Sequence, residues 1–166
     1  MAFSGYTTYM KKATWLPFTV CIAASLAAGI FGSVFTISNI ETWYATLVQP
    51  AWTPPNWVFA PVWNLLYVLM GISAGLVWKS ERAGKWWVLG LFFFHLLVNS
   101  AWSIVFFGLH DTYSALLVIK ALWLLIVAMM IAFWRYSRLA TYLLIPYLVW
   151  VSYAASLNLG IMLLNP

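Results

Sequence analysis

The sequence predicts an all-α integral membrane protein, a bundle of five transmembrane helices, and three observations lead to this fold class. The chain has 166 residues, of which 65% are hydrophobic and 7% are charged, whereas soluble domains have about half and about a quarter. Five apolar stretches are each long enough to cross a bilayer core of about 30 Å, which takes about 20 helical residues. These stretches are continuously apolar, whereas the strands of a membrane barrel would alternate.

The predicted spans cover about residues 16–38, 58–78, 87–109, 114–134 and 139–164, within one domain of residues 1–166. Lys11 and Lys12 precede the first span, as they would in a signal peptide. Its apolar run of about 22 residues exceeds the 7–15 that are typical of a signal core, so we expect a retained helix. The fourth span contains Lys120. We expect its side chain to snorkel to the membrane interface, and a role in ion or proton coupling is the alternative.

Positive charge is concentrated on one side of the predicted bundle. Seven of the eight cations precede the first span or lie in residues 79–85 and 135–138, and the other side carries Glu41 and Asp111. The positive-inside rule therefore places the N-terminus in the cytoplasm and the C-terminus outside, in a bacterial cell membrane. Because the cations are scattered, we expect no nucleic-acid partner. We interpret Cys21, the single cysteine, as a packing residue.

Residues 39–57 form the longest predicted connection, with the sequence NIETWYATLVQPAWTPPNW. Its three prolines restrict the backbone, and its three tryptophans favour apolar contacts. We expect this loop to lie folded on the bundle as a lid that closes a pocket. A loop anchored only in lipid headgroups is the alternative.

Polar side chains within spans mark a candidate site, because they are costly in lipid unless they find partners. On the third and fifth spans, helical spacing places an aromatic ring, a small residue and an amide on one face. These faces frame an internal pocket or, alternatively, only hydrogen-bond between helices. The set comprises Asn64 and Tyr67 on the second span, His95, Asn99, Trp102 and Ser103 on the third, and Trp150, Ala154, Leu157 and Asn158 on the fifth.

His95 also allows a haem-ligand interpretation, because neutral imidazole binds iron well. The other histidine, His110, lies at the far end of the same helix, so only a single axial ligand is possible, and a hydrogen-bonded packing histidine is the alternative. All three carboxylates fall in loops, and no catalytic triad, phosphate-binding loop or carboxylate pair is present. We therefore expect no metal site and no tightly bound cofactor.

Several motifs occur together along the chain. They are WTPPNW at 52–57, PVWNLLY at 61–67, NSAWS at 99–103, PYLVW at 146–150 and AASLN at 154–158. In combination these motifs closely resemble the TspO/MBR family of translocator and tryptophan-rich sensory proteins, and the resemblance extends from the first helix to residue 158.

The resemblance implies a five-helix bundle, usually a homodimer, with one pocket per protomer opening under the first loop. It also implies porphyrin ligands such as protoporphyrin IX and haem, together with sterols and benzodiazepine-site drugs. No basic residue follows Arg138, so the family's C-terminal sterol pattern is missing, and Ser114 stands where animal members have a drug-contacting tryptophan. The implied ligand-binding residues are Trp52, Trp63, Asn64, Tyr67, His95, Asn99, Trp102, Trp150, Ala154 and Leu157.

Four functions remain open at this point. The favoured one is a membrane receptor or sensor that binds a tetrapyrrole and regulates its transport or turnover, since an aromatic pocket with few charges suits a large planar ligand. The second is light- and oxygen-dependent porphyrin degradation that uses Trp63 and Trp150. A transporter and a scaffold that tunes dimer contacts are the others. The lack of in-span carboxylates and of an inverted repeat disfavours an ion-coupled carrier.

Overall fold

The computed structural model describes residues 15–166, and every regular element in that range is helical. Five segments are long and apolar enough to cross a membrane. The predicted fold class, an all-helical bundle with five spans, is therefore confirmed. Lys11 and Lys12, which entered the signal-peptide and orientation arguments, lie outside the described residues.

The helix bounds agree with the predicted spans to within a few residues at most ends. We call the end of the bundle that carries residues 41–57, residues 109–111 and Pro166 the lid end. The opposite end, which carries residues 80–84 and 135–137, is the basic end. The helices are α1 (Leu16–Ile40), α2 (Phe59–Lys79), α3 (Lys85–Ser103), α4 (Thr112–Trp134), α5 (Arg138–Leu143) and α6 (Ile145–Leu164).

The fifth span differs from the prediction, because the sequence suggested one continuous helix over 139–164 and the structure has two. Pro146 has no amide hydrogen to donate to the preceding turn, so the helical ladder is interrupted there. The Leu144 amide instead closes a short turn on the Thr141 carbonyl at 3.0 Å, and α6 begins at the next residue. The span is therefore bent near the basic end.

The third span ends in a π-helical segment, Ile104–Gly108, which the sequence analysis did not predict. The Leu109 amide bonds the Ile104 carbonyl at 2.9 Å, five residues back. This wider turn places two successive rings inside the bundle, and Phe106 and Phe107 are only 2% and 7% exposed. Such segments are frequent at functional sites, and this one borders the cavity described below.

Loop side chains satisfy the free backbone groups at several helix ends. The Lys85 ammonium donates to the Trp78 and Ser80 carbonyls at 2.9 and 2.8 Å, which stabilises the C-terminal end of α2. At the start of α4 the Ser114 amide donates to an Asp111 carboxylate oxygen at 2.9 Å. Hydrogen bonds from Ser114 lower the pKa of Asp111, so its negative charge is retained at a helix N-terminus.

Glycines hold α1 against α2 near the basic end. A Cβ added to Gly71 would overlap the backbone of Ile22, and one added to Gly75 would collide with Phe18. By contrast, a Cβ on Gly90 would meet nothing within 4 Å. Close contact between α1 and α2 at Gly71 and Gly75 is therefore present in the structure.

The basic-end half of the bundle contains a packed core. Its members come from α1, α2, α3, α4 and the bent fifth span, and the largest are almost completely buried. They include Met70, Phe92, Ile126, Met129, Phe133 and Tyr147. The lid-end half is packed differently, because α1, α2, α3 and α6 there surround a cavity.

Candidate functional site

The lid-end half encloses a cavity of about 390 Å³, a volume within the range of about 300–1,000 Å³ that small-molecule sites occupy. Most of its lining is apolar, and every helix except α4 and α5 contributes to it. Seven predicted ligand-binding residues line this one space. They are Trp63, Asn64 and Tyr67 on α2, Asn99 and Trp102 on α3, and Ala154 and Leu157 on α6.

Two aromatic pairs line the cavity, one on α2 and one on the third span, and are called the α2 wall and the α3 wall. On α2, the rings of Trp63 and Tyr67 stack with centroids 5.6 Å apart and an interplanar angle of 28°. On α3, Trp102 and Phe106 stack at 5.2 Å and 22°. Each pair is spaced by one helical turn, so its rings share a face of the helix. The walls are therefore suited to a planar apolar ligand.

The cavity floor is a chain of hydrogen bonds that links α2, α3 and α6. The Tyr67 hydroxyl donates to the Asn99 side-chain oxygen at 2.8 Å, and the Asn99 amide donates to the Tyr147 hydroxyl oxygen at 3.0 Å. Tyr147 lies 2.7 Å from His95 Nε2. Three of the four residues are buried, with Tyr67 partly exposed to the cavity. These contacts fix the depth at which the cavity ends.

This series of hydrogen bonds determines which group donates and which accepts at each contact. Because the Tyr147 hydroxyl oxygen already accepts a hydrogen bond from Asn99, the Tyr147 hydroxyl is best assigned as the donor to His95 Nε2. His95 is then a neutral imidazole that carries its hydrogen on Nδ1. His95 has no exposed surface, so its arrangement fits the packing interpretation rather than axial haem ligation.

Three predicted residues lie outside the cavity lining. His95 is beneath the floor, on the far side of Tyr147. Trp150 does not line the cavity. Its ring packs edge-on against Phe59, which does line the cavity, with ring centroids 5.8 Å apart. Trp52 is 55% exposed and lies against α6 near Gly160. Sequence spacing placed His95 and Trp150 on suitable helices but did not resolve their depth, and Trp52 was implied by the family resemblance alone.

Several lining residues escaped the sequence analysis. Tyr44 lies in the roof, where burial and, secondarily, Tyr153 raise its pKa, so its hydroxyl stays neutral. Phe106 and Phe107 enter because of the π-helical segment, which no local sequence signal indicates. The α1 contribution, including Gly29 and Ser33, was also missed. Here the helical period of Gly29, Ser33, Thr36 and Ile40 was the available signal.

Residues 41–57 close the lid end and are bound at separate points. The Tyr153 hydroxyl donates to the Trp52 carbonyl at 2.7 Å. The Asn165 side chain pairs with the Val48 backbone through bonds of 2.9 and 3.0 Å. Trp43 stacks on His110 with centroids 4.3 Å apart. This loop therefore lies folded on the bundle as the lid interpretation predicted, with its attachment mainly to α6.

The chemistry of the lining is neutral. Across residues 15–166 no charged side chain faces the cavity, and no cluster of three or more His, Cys, Asp or Glu residues could hold a metal ion. Hydrogen-bonding groups are supplied by hydroxyls and amides, among them Asn158, which accepts from Trp102 Nε1 at 3.1 Å. The site is built to hold an apolar ligand and orient it with uncharged polar groups.

Comparison with known proteins identifies the family. The family model for TspO/MBR matches residues 21–164. The Tryptophan-rich protein TspO of Chlorobaculum tepidum is 43% identical over 155 residues, 91% of this chain and 97% of that protein. The Tryptophan-rich sensory protein of Cereibacter sphaeroides is 36% identical, covering 91% and 92%, and the Translocator protein of Homo sapiens is 36% identical over 87% of each chain. The chain belongs to the TspO/MBR family and is a multi-pass integral membrane protein.

The hydrogen-bonded floor makes a testable contribution to stability. We expect Tyr147→Phe to lower the free energy of unfolding by about 1–2 kcal/mol, because it leaves the Asn99 amide nitrogen and His95 Nε2 without a hydrogen-bond partner. Tyr142→Phe is the matched control, since Tyr142 is exposed and its hydroxyl bonds no described residue. Unfolding in mixed detergent micelles, followed by far-UV circular dichroism, measures both; equal losses would contradict a structural role for the floor.

Proposed function

We propose that the protein is a membrane receptor or sensor that binds a tetrapyrrole, such as protoporphyrin IX or haem, and thereby regulates its transport or turnover. The observation that carries this proposal is the aromatic, uncharged cavity in the lid-end half of the bundle. The names of the relatives, sensory protein and translocator protein, are consistent with a sensing or transport role. Sterols and benzodiazepine-site drugs are further candidates for the same cavity.

The two stacked pairs support a planar ligand in particular. A macrocycle placed between the α2 wall and the α3 wall would contact aromatic rings of both pairs, and aromatic contacts of this kind favour offset-stacked or edge-to-face arrangements. The hydroxyl of Tyr67 at the floor could donate to a ligand only by giving up its bond to Asn99, so the floor favours an apolar edge. A planar ligand with one apolar edge and one polar edge fits this arrangement.

The neutral lining constrains how such a ligand is oriented. A carboxylate enclosed without a counter-charge is strongly disfavoured. The propionate groups of a porphyrin must therefore lie at the opening of the cavity, with the edge that carries methyl and vinyl groups directed towards the floor. By the same argument, the cavity disfavours any ligand whose charged group would lie inside it.

Charge distribution supports an orientation in the membrane. The basic end carries Lys79, Arg82, Lys85, Arg135 and Arg138, whereas the lid end carries Glu41 and Asp111. By the positive-inside rule the basic end would face the cytoplasm of a bacterial cell and the lid end the opposite side. The cavity would then lie in the outer half of the bilayer. The homodimer implied by the family resemblance stays a prediction.

The binding proposal is tested by filling the cavity. We expect Ala154→Phe to weaken protoporphyrin IX binding at least about tenfold, equivalent to about 1.4 kcal/mol, because the added ring occupies ligand space. Leu159→Phe, on the lipid-facing side of the same helix, should leave affinity unchanged. Tryptophan fluorescence in nanodiscs, titrated in the dark, gives both constants. Equal affinity of the wild type and Ala154→Phe would contradict the assigned cavity.

A second candidate function is light- and oxygen-dependent porphyrin degradation, favoured by the one observation that the Trp63 ring lines the cavity. Indoles are oxidisable, so a bound porphyrin that generates reactive oxygen under light could react through this residue. We expect Trp63→Phe to slow product formation severalfold at saturating porphyrin, while Trp150→Phe, outside the lining, has a smaller effect. Identical illuminated rates for the wild type and both variants would contradict enzymatic turnover, because free porphyrin also photo-oxidises.

A further inference from the structure

The wall of the cavity is uneven. Lining residues on α3 and α6 are buried, including Asn99, Ala154 and Leu157. Lining residues that are exposed at the protein surface occur instead on α1 and near the start of α2, where Ile30 and Ile37 are 67% and 71% exposed. The others in this exposed group are Asn56, Ala60 and Asn64. The cavity is therefore open on its α1–α2 side.

The opening has a structural cause. Near the basic end α1 is held against α2 by glycine contacts, the last of which joins Gly29 to the Tyr67 ring. Beyond that point α1 packs on the third span instead, with Gly32 beside Ser103 and Phe35 beside Gly108. Because α1 changes partner, the lid-end halves of α1 and α2 separate. The gap lies within segments that are long and apolar enough to span a membrane.

The lid end offers no comparable opening. Tyr44, Phe106 and Phe107 close the roof and are each less than a tenth exposed. Trp43 packs edge-on against Phe106 at 5.4 Å and stacks on His110. A ligand arriving from water would have to displace these rings, whereas one dissolved in the bilayer would meet an existing gap.

We infer that the gap between the lid-end halves of α1 and α2 is a lateral portal through which amphiphilic ligands enter the cavity from the lipid bilayer. This inference rests on the proposed ligand-binding function and names the class of ligand, one that partitions into the membrane before it binds. Ile30 and Ile37 form one rim, and Ala60 and Asn64 form the other. The lid keeps the cavity separate from water and is not the entrance.

Asn64 gives the portal a polar contact. Its amide faces the opening little more than one turn into α2, and it makes no side-chain hydrogen bond to any residue from Trp15 onwards. An unpartnered amide in a membrane span is costly. A ligand carbonyl or carboxylate held at the opening would satisfy it, which is also where the neutral lining requires the polar edge of a porphyrin to lie.

The test changes the width of the portal in both directions. Association and dissociation of protoporphyrin IX are followed by stopped-flow tryptophan quenching, in the dark, with protein in phosphatidylcholine nanodiscs. Ala60→Leu and Ala60→Phe narrow the gap, with Leu65→Phe as the control on the lipid-facing side of α2. Ile37→Ala widens it, with Ile131→Ala as the matched control on the exposed face of α4. Circular dichroism confirms that each variant is folded.

A portal changes both rates together, because it alters the barrier and not the bound state. We expect Ala60→Phe to slow both association and dissociation about fivefold or more, with Ala60→Leu intermediate and Ile37→Ala faster in both directions. Rates equal to those of the controls would overturn the portal. So would a raised Kd caused by faster dissociation alone, since that indicates lost ligand space. If the wild type shows no saturable binding, the proposed function itself fails and the portal falls with it.

Discussion

The hydrogen-bonded chain from Tyr67 through Asn99 and Tyr147 to His95 is the interaction on which the rest of the bundle depends. It lies at the boundary between two halves that are built differently, a packed core towards the basic end and a cavity towards the lid end. Lipid offers these polar groups no partners, so each is satisfied only while α2, α3 and α6 keep their relative positions. The floor therefore fixes both the helix register and the depth of the cavity.

The first helix stands apart from this arrangement. None of its side chains takes part in the hydrogen-bonded floor. Near the basic end it is held by glycine contacts that bring it close to α2, and beyond them it packs on the third span. The floor fixes the register of α2, α3 and α6, whereas α1 diverges from α2 towards the lid end. The resulting cavity has buried walls and one open side. The lid, bound to α6 and closed by aromatic rings, then directs access towards the membrane rather than towards water.

Much of this could be predicted from the sequence, for physical reasons that also set the limit. Continuous apolar runs determine the spans, and helical spacing correctly grouped residues such as Asn99 and Trp102 on one face. The spacing does not determine how deep in the bundle a residue lies. His95 has the same helical spacing as Asn99 and Trp102, and yet it lies beneath the cavity floor. The bend before Pro146 was readable from its missing amide hydrogen, whereas the π-helical turn that buries both Phe106 and Phe107 depends on tertiary packing and has no local signal.

The central claim is that the lid-end cavity is the ligand site, and an experimental structure of the protein with bound protoporphyrin IX tests it most directly. We expect the macrocycle between the α2 wall of Trp63 and the α3 wall of Trp102. Its propionates would lie beside Asn64 at the α1–α2 gap, with the floor intact. A macrocycle bound on the lipid-facing surface with the cavity unoccupied, or one whose propionates point at the floor, would contradict it.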